Sequence, residues 1–220
     1  MASFFNLTLD TTAPAGLILK LNNGAAYATS TAVTATIGLT DSVTTGYQMK
    51  IWGVAGAATE AEAAWATFVK SKAITLTTGD GQKTVSIKVR DDVGNETATV
   101  TAKITLDTAV PVVTITGPDK SKISKVATFN VSAFSFSANA DFEEYKIKVV
   151  PSESSLENAG TQIPVTAGST NTSGTEGGYK ADTAINVTIN GADLETASAG
   201  DGVKIIKEFV KNAAGTWSVA

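Results

Sequence analysis

Apolar and polar residues alternate along most of the chain, which is typical of β-strands that bury one face. The clearest case is segment 83–90, where Val85, Ile87 and Val89 share one face and polar residues lie between them. Turn sequences rich in Gly, Asn and Asp separate the alternating segments. The pattern predicts strands over residues 15–21, 32–37, 47–52, 72–76, 83–90, 97–106, 112–116, 128–136, 145–149, 184–189 and 203–210.

The chain carries an internal repeat. Segment 9–14, Leu-Asp-Thr-Thr-Ala-Pro, returns as segment 106–111, Leu-Asp-Thr-Ala-Val-Pro, 97 residues later. A period near 100 residues suits tandem immunoglobulin-like sandwiches, and 220 residues are enough for two. We therefore predict an all-β fold of two tandem immunoglobulin-like β-sandwich domains, residues 1–108 and 109–220, the first carrying an N-terminal strand segment. Pro111 marks the break, because proline cannot donate to a strand ladder.

Two segments depart from the alternation. Segment 56–68 is rich in Ala and Glu, which favours a helical turn or two. Trp65 and Phe68 would then share a face and cover the first core, so we expect Trp65 to be largely buried. The alternative is an exposed aromatic binding site. Segment 167–178 is rich in Gly, Ser and Thr and is predicted to be an exposed, flexible loop.

Composition excludes several classes of protein. The net charge is −4 and no long basic run occurs, so the electrostatic signature of a nucleic-acid-binding protein is missing. No apolar run reaches the ~20 residues of a membrane helix. The chain has no cysteine and no histidine, which removes disulfides, the commonest general base and the commonest transition-metal ligand.

The remaining candidates for catalysis are adjacent carboxylates. Asp91-Asp92 falls in a turn and is interpreted as solvated, and Glu143-Glu144 begins a strand. Neighbouring strand residues point to opposite faces, so the glutamate pair cannot flank one bond. We predict no catalytic residue, no cofactor and no metal. A calcium site involving Asp10 or Asp107 remains the less favoured alternative.

Segment 79–95 reads Gly-Asp-Gly-x-Lys-Thr-Val-x-Ile-x-Val-Arg-Asp-x-x-Gly-Asn, and Trp65 and Phe68 precede it. Together with the Leu-Asp-Thr-x-x-Pro linker, these residues resemble the bacterial and phage immunoglobulin-like repeats of the Big type. The match covers most of residues 9–111 and is looser in the second module. The resemblance implies a protein of a bacterial surface or of a tailed-phage virion.

The N-terminal sequence lacks the basic and apolar regions of a secretory signal, which favours the virion. We expect a non-enzymatic structural protein of a bacteriophage tail, baseplate or capsid decoration. It would assemble in the host cytoplasm with other virion proteins or with copies of itself. The alternative is a carbohydrate- or receptor-binding adhesin module that contacts a host surface glycan through stacking aromatic residues. The candidate stacking residues are Tyr27, Trp52, Trp65 and Tyr179.

The two modules differ at their closing strands. Ten residues, 97–106, follow the turn of the first module, whereas segment 216–220 is the counterpart in the second. This predicts an open sheet edge near Trp217 and Val219. Phe5, Leu7 and Leu9 fall on one face by alternation, so segment 3–10 of another copy could add to that edge. Pairing of segment 4–9 within its own first module is the alternative that we favour.

Overall fold

The structure is a computed structural model that describes residues 5–126 and 131–219. It confirms the predicted all-β sandwich fold. The chain divides into two compact units, Met1–Thr108 and Ala109–Ala220. Each unit packs an apolar core between two sheets.

The strands of the first unit are β1 (Ile18–Leu21), β2 (Tyr27–Ala28), β3 (Ala32–Gly38), β4 (Gln48–Trp52), β5 (Ala66–Thr67), β6 (Ser71–Thr75), β7 (Gly81–Arg90) and β8 (Val100–Leu106). They form a three-stranded sheet and a five-stranded sheet, in the orders β1-β3-β6 and β2-β8-β7-β4-β5. All pairs are antiparallel except the parallel pair β2–β8. A 3₁₀ turn, Asn22–Gly24, follows β1.

The core of the first unit follows the alternation in the sequence. Val85, Ile87 and Val89 of β7 are fully buried, as predicted. Ile104 and Leu106 of β8 are also buried and close the same core. Each β7 residue in this set is β-branched, and such side chains pack well on a pleated surface.

Segment 56–68 forms no helix, contrary to the prediction. It makes short turns, and its last residues pair as β5 with β4. Phe68 enters the core. Trp65 is half-buried and does not pack against the core, so the expectation that it covers the core is not met. The indole lies by the outward-facing side chains of β4 and β7, with the guanidinium of Arg90 4.3 Å and the ammonium of Lys50 5.6 Å from the ring centroid. A cation over an aromatic face is attracted to the ring, so both side chains favour this position.

The second unit also consists of two sheets. Its strands are β9 (Val113–Thr116), β10 (Val131–Ala138), β11 (Glu144–Val150), β12 (Thr161–Gln162), β13 (Ser173–Gly174), β14 (Ile185–Asn190) and β15 (Ile205–Lys211). One sheet has the order β14-β10-β9, and in the other β11 pairs with β12 and β13 along one side and with β15. Its core is rich in aromatic rings, with Phe142 stacked on Tyr179 at 5.0 Å.

A short helix, α1 (Gly191–Ala197), was not predicted. Asn190 caps it through its side-chain oxygen, which accepts from the N–H of Ala192. The buried Asp193 carboxylate accepts hydrogen bonds from three groups of the preceding connection: Thr166 Oγ1, Ala167 N and Ser169 N. The supposedly flexible segment 167–178 is therefore tied down at its start, and Ser169 and Thr172 within it are buried.

Candidate assembly edge

The two units end their main sheets in the same hairpin. Arg90 and Lys211 occupy equivalent positions, 121 residues apart, and each forms a bridge across its hairpin, to Glu96 and Trp217 respectively. The hydrogen bonds of the two hairpins match atom by atom. In the first hairpin Asp91 N donates to Asn95 O (3.2 Å), Thr97 N to Val89 O (2.8 Å) and Val89 N to Thr97 Oγ1 (3.1 Å). In the second, in the same order, Asn212 N donates to Thr216 O (3.0 Å), Ser218 N to Val210 O (2.8 Å) and Val210 N to Ser218 Oγ (3.2 Å).

The same 121-residue interval identifies a motif that our sequence analysis missed. Segment 200–202, Gly-Asp-Gly, stands where segment 79–81, Gly-Asp-Gly, stands in the first unit. Gly81 and Gly202 share a positive φ, 118° and 130°, so both turns enter their strands in the same conformation. The linker repeats after 97 residues, whereas the Gly-Asp-Gly motif repeats after 121. The intervals differ because the second unit has a longer connection before this motif, so the linker interval did not lead to it.

The equivalence exposes one difference between the units. In the first unit β7 pairs with β4 on one side and with β8 on the other. In the second unit β15 pairs with β11, the counterpart of β4, along its whole length. Within the described residues no strand lies where β8 lies in the first unit.

The orientation of the β15 backbone follows from its hairpin. The N–H and C=O of Val210 both bond to Ser218, on the side away from β11. Backbone groups alternate in direction along a strand, so Glu208, Ile206 and Lys204 direct theirs to the same side. We call this row, residues 204–208, the free edge of β15.

An open cleft of about 430 Å³ runs beside the start of the free edge. Gly202 and Lys204 line one side, and segment 123–126, which lies between β9 and β10, lines another. The corresponding connection of the first unit, between β1 and β3, carries β2, which pairs with β8. The cleft therefore lies beside Gly202 and Lys204, whose counterparts Gly81 and Lys83 pair with β8 in the first unit.

Burial along the two strands differs accordingly. Val85 of β7 is fully buried beneath β8, whereas its counterpart Ile206 is partly exposed. Ile87 corresponds to Glu208, which faces the same side of the sheet as Ile147 and is 5% exposed. The Glu208 Oε2 atom has no hydrogen-bond partner. Burial raises the pKa of Glu208 to about 7, although its own N–H and Lys207 oppose the shift.

The N-terminal segment is the second unpaired element of the structure. Phe5, Leu7 and Leu9 are 85%, 87% and 86% exposed, and residues 5–17 form no strand. The favoured expectation, that this segment pairs within the first unit, is therefore not met by residues 5–9. The segment meets the unit at Asp10, whose carbonyl accepts from the Asn95 amide at 3.3 Å.

The other two predicted assembly residues lie in the hairpin next to the free edge. Val219 is 60% exposed. Trp217 is half-buried, with the ammonium groups of Lys146 and Lys211 at 4.6 Å and 5.2 Å from its ring centroid. These lysines correspond to Lys50 and Arg90 of the first unit. Each unit thus places one indole under the same two cationic positions, but the indole comes from a different segment.

Two of the four residues of the glycan-binding alternative, Trp65 and Tyr179, have covered rings. Tyr179 stacks on Phe142 and donates to Glu176. The guanidinium of Arg90 lies over the Trp65 ring, and Trp52 is half-buried at the end of β4. Tyr27, 39% exposed, is the most accessible of the four. A sugar-binding platform needs an uncovered ring, which Trp65 and Tyr179 lack.

The candidate carboxylates serve the fold. Asp91 is 4% exposed, so its interpretation as a solvated side chain was wrong. Its carboxylate accepts from the N–H groups of Val93 and Asn95 and from the Asn95 amide, which closes the hairpin. Among residues 5–126 and 131–219, no three acidic, His or Cys side chains form a group that could hold a metal ion. Within the same ranges no helix has the length and apolar character to cross a membrane.

Comparisons with known proteins add little to this geometry. No family model matches the sequence, and no curated protein matches it. A solved structure of the chitinase ChiA74 from Bacillus thuringiensis aligns with 92% of this chain and 30% of its own, at 14% identity and a TM-score of 0.31. Dimeric latent PorU from Porphyromonas gingivalis aligns with 97% of this chain and 20% of its own, at 14% identity and a TM-score of 0.29. The chain thus spans less than a third of either protein, and TM-scores this low establish no common activity.

Proposed function

We propose that this chain is a non-enzymatic structural protein that acts through protein–protein assembly, and that the free edge of β15 is its assembly surface. The observation that carries the proposal is the unpaired side of β15, whose counterpart in the first unit is covered by β8. Unpaired N–H and C=O groups in a row form a template for an added strand. An extended segment that binds there gains main-chain hydrogen bonds and a place for its alternate side chains.

The cleft and the partly exposed Ile206 support the same function. An added strand would cover Ile206, as β8 covers Val85, and would remove apolar surface from water. The gain is about 25 cal/mol per Å² of apolar surface buried. The hydrogen bonds and this burial act together, which distinguishes the free edge from an ordinary exposed strand.

The narrower proposal is a component of a bacteriophage virion: a tail, baseplate or capsid decoration protein. Its support is the resemblance of segment 79–95 to immunoglobulin-like repeats of phage and bacterial surface proteins. The repetition of the Gly-Asp-Gly turn in the second unit extends that resemblance. Mass spectrometry of purified phage particles from the source organism tests it. We expect the chain in many copies per particle, and its absence from the particles contradicts the virion proposal.

The assembly proposal is tested at Lys204, which lies just before β15 and directs its N–H to the free edge. Lys204→Pro removes this donor and places a ring in the path of an added strand, while the ladder with β11 begins only at Ile205. The matched control, Lys204→Ala, loses the side-chain bond to the Ala199 carbonyl but keeps the N–H.

Light scattering over a range of concentrations gives the mass in solution, and circular dichroism checks the fold. We expect the unmodified chain and Lys204→Ala to form oligomers and Lys204→Pro to remain monomeric. Oligomers of equal mass in all three proteins contradict assembly through the free edge. A monomer at all concentrations in the unmodified chain contradicts self-assembly.

A further inference from the structure

We propose that the occupant of the free edge is the N-terminal segment of a second copy of this chain, bound antiparallel to β15 with Leu9 opposite Gly202. This inference rests on the proposed function and identifies its partner. Residues 5–11 are called the donor segment. It carries three large, exposed apolar side chains, Phe5, Leu7 and Leu9, and residues 5–9 pair with no strand.

The sequence of the donor segment matches the strand that fills this place in the first unit. Leu9-Asp10-Thr11 repeats Leu106-Asp107-Thr108, which ends β8 and leaves it. Counting back from this match, Leu7 corresponds to Ile104 and Phe5 to Ala102. Ile104 and Leu106 are 2% and 1% exposed in the first core. The donor segment therefore presents apolar side chains at the positions that face a core.

The pairing of β7 with β8 fixes the expected register. Gly81 lies opposite Leu106, Lys83 opposite Ile104 and Val85 opposite Ala102. Transferred to the second unit, Leu9 lies opposite Gly202, Leu7 opposite Lys204 and Phe5 opposite Ile206. Phe5 is larger than Ala102, and Ile206 is partly exposed, so the ring has apolar surface to cover.

A side-chain contact at the end of the strand selects this register. In the first unit the Asp80 carboxylate accepts from the Thr108 N–H at 3.1 Å and from the Thr108 hydroxyl at 2.9 Å. Asp201 is the counterpart of Asp80, and Thr11 is the counterpart of Thr108. Asp201 is exposed and lies in the lining of the cleft. Thr11 of the bound copy would donate both hydrogen bonds to Asp201, which holds the strand against slipping by two residues.

The contact is heterologous, because one surface of each copy meets a different surface of the next. Such contacts close into rings or extend as filaments. Every copy keeps one donor segment and one free edge, so a copy that has lost its donor segment can still accept one. This property separates the proposal from a symmetric dimer, in which both surfaces are lost together.

Engineered disulfides test the register directly, since the chain contains no cysteine. Thr8 and Val203 would lie opposite each other, as Thr105 and Gln82 do in the first unit. The Thr105 N–H bonds to the Ala26 carbonyl, away from β7, so this is a non-hydrogen-bonded pair whose Cα atoms approach to ~4.5 Å. That spacing accepts a disulfide.

The double variant Thr8→Cys with Val203→Cys should give a ladder of disulfide-linked multimers on non-reducing gels. The matched control, Thr8→Cys with Ile205→Cys, keeps the face of the strand but shifts the pair by two residues. We expect at least tenfold less cross-linked product from the control. Equal cross-linking in both variants overturns the register, and a cross-linked monomer overturns the second copy as the occupant.

Mixing separates this inference from the proposed function. Leu7→Asp alters an exposed residue of the donor segment and should leave a monomer, whereas Thr8→Asp, on the outward face, should assemble normally. Leu7→Asp mixed with Lys204→Pro should form a one-to-one dimer, because the first variant keeps its free edge and the second keeps its donor segment. If Lys204→Pro abolishes assembly but Leu7→Asp does not, assembly through β15 stands and the donor segment is the wrong occupant.

The Asp201 contact has its own readout. In the dimer of Leu7→Asp with Lys204→Pro, the Leu7→Asp chain accepts the donor segment. Adding Asp201→Ala to this accepting chain should raise the dissociation constant of the dimer about tenfold. The same substitution in the donating chain should change nothing, because that chain's free edge is blocked. Equal effects in both chains overturn the pairing of Asp201 with Thr11.

Discussion

β7 and β15 are the same strand in two units, yet they meet different surroundings. β7 is covered on both sides and carries Ile87 at its centre, whereas β15 has one free edge and carries Glu208 there. An inward-pointing charge is a known means of preventing uncontrolled pairing at an exposed strand edge. The difference places a buried carboxyl group beside the free edge of β15, at the position that an isoleucine holds in the covered strand.

The largest expected effect comes from placing the glutamate in the covered strand. Ile87→Glu would bury a carboxylate beneath β8 without any open side, and would lose a fully buried side chain as well. We expect a loss of about 5 kcal/mol in the stability of the first unit. Urea unfolding with amide exchange of β7 residues measures it. Ile87→Val is the size control and should cost about 1 kcal/mol. A loss below 2 kcal/mol for Ile87→Glu would show that the position is not closed.

The second prediction concerns the pH dependence of the second unit. The folded pKa of Glu208, about 7, lies above its ordinary value of 4.5, so the folded state holds the proton more tightly than the unfolded state. The stabilisation is complete below pH 4.5 and is lost as the pH rises through 7. The shift corresponds to about 3 kcal/mol.

With no histidine in the chain, few other groups titrate in this range. The free energy of unfolding of the second unit should therefore fall as the pH rises from 4.5 to 8, and Glu208→Gln should remove most of this slope. The first unit, measured in the same experiment, serves as the internal control. A slope that persists in Glu208→Gln would falsify the assignment to this carboxyl.

The third prediction concerns the long connection of the second unit, which has no counterpart in the first. Burial opposes ionisation of Asp193, but hydrogen bonds from Thr166, Ala167 and Ser169 hold its pKa down to about 2. A lowered pKa stabilises the fold above pH 3.8, and the stabilisation is lost as the pH falls through 2.

Asp193→Asn keeps the shape but weakens the acceptor, so we expect a loss of about 2 kcal/mol at pH 7. Amide exchange at Ala167 and Ser169 should accelerate, while β7 of the first unit should be unaffected. The difference between Asp193→Asn and the unmodified chain should shrink at pH 2. Unchanged exchange at both amides would mean that the connection is held by other contacts.

The sequence alone was sufficient to predict the all-β sandwich and the position of most strands, because Val, Ile and Leu alternate where one face is buried. It was insufficient for helix α1 and for the Asp193 contacts, which join residues about 25 positions apart. The equivalence of Gly202 to Gly81 became clear only from strand pairing, because the linker repeats after 97 residues whereas the hairpin repeats after 121.

Trp65 and Trp217 give the smallest predicted effect and the most direct comparison of the two sheet faces. A fully buried tryptophan would cost ~3–5 kcal/mol when replaced by alanine. Trp65 is half-buried, and the cations of Arg90 and Lys50 lie over its ring. Interactions of this kind contribute about 0.5–1 kcal/mol at exposed sites.

We therefore expect Trp65→Ala to cost about 1 kcal/mol in the first unit and Trp217→Ala a similar amount in the second. Arg90→Gln alone should lose part of the stability that Trp65→Ala loses, because both remove the contact between the guanidinium and the indole. The double variant Trp65→Ala with Arg90→Gln should therefore be less destabilised than the sum of the two single variants. The equivalent cycle for the second unit uses Trp217→Ala and Lys146→Gln, because Lys146 lies over the Trp217 ring. Additive losses in both cycles would mean that the indoles stabilise the sheets by covering apolar surface alone, whereas coupling in both would establish that two unrelated segments deliver the same contact to the same face.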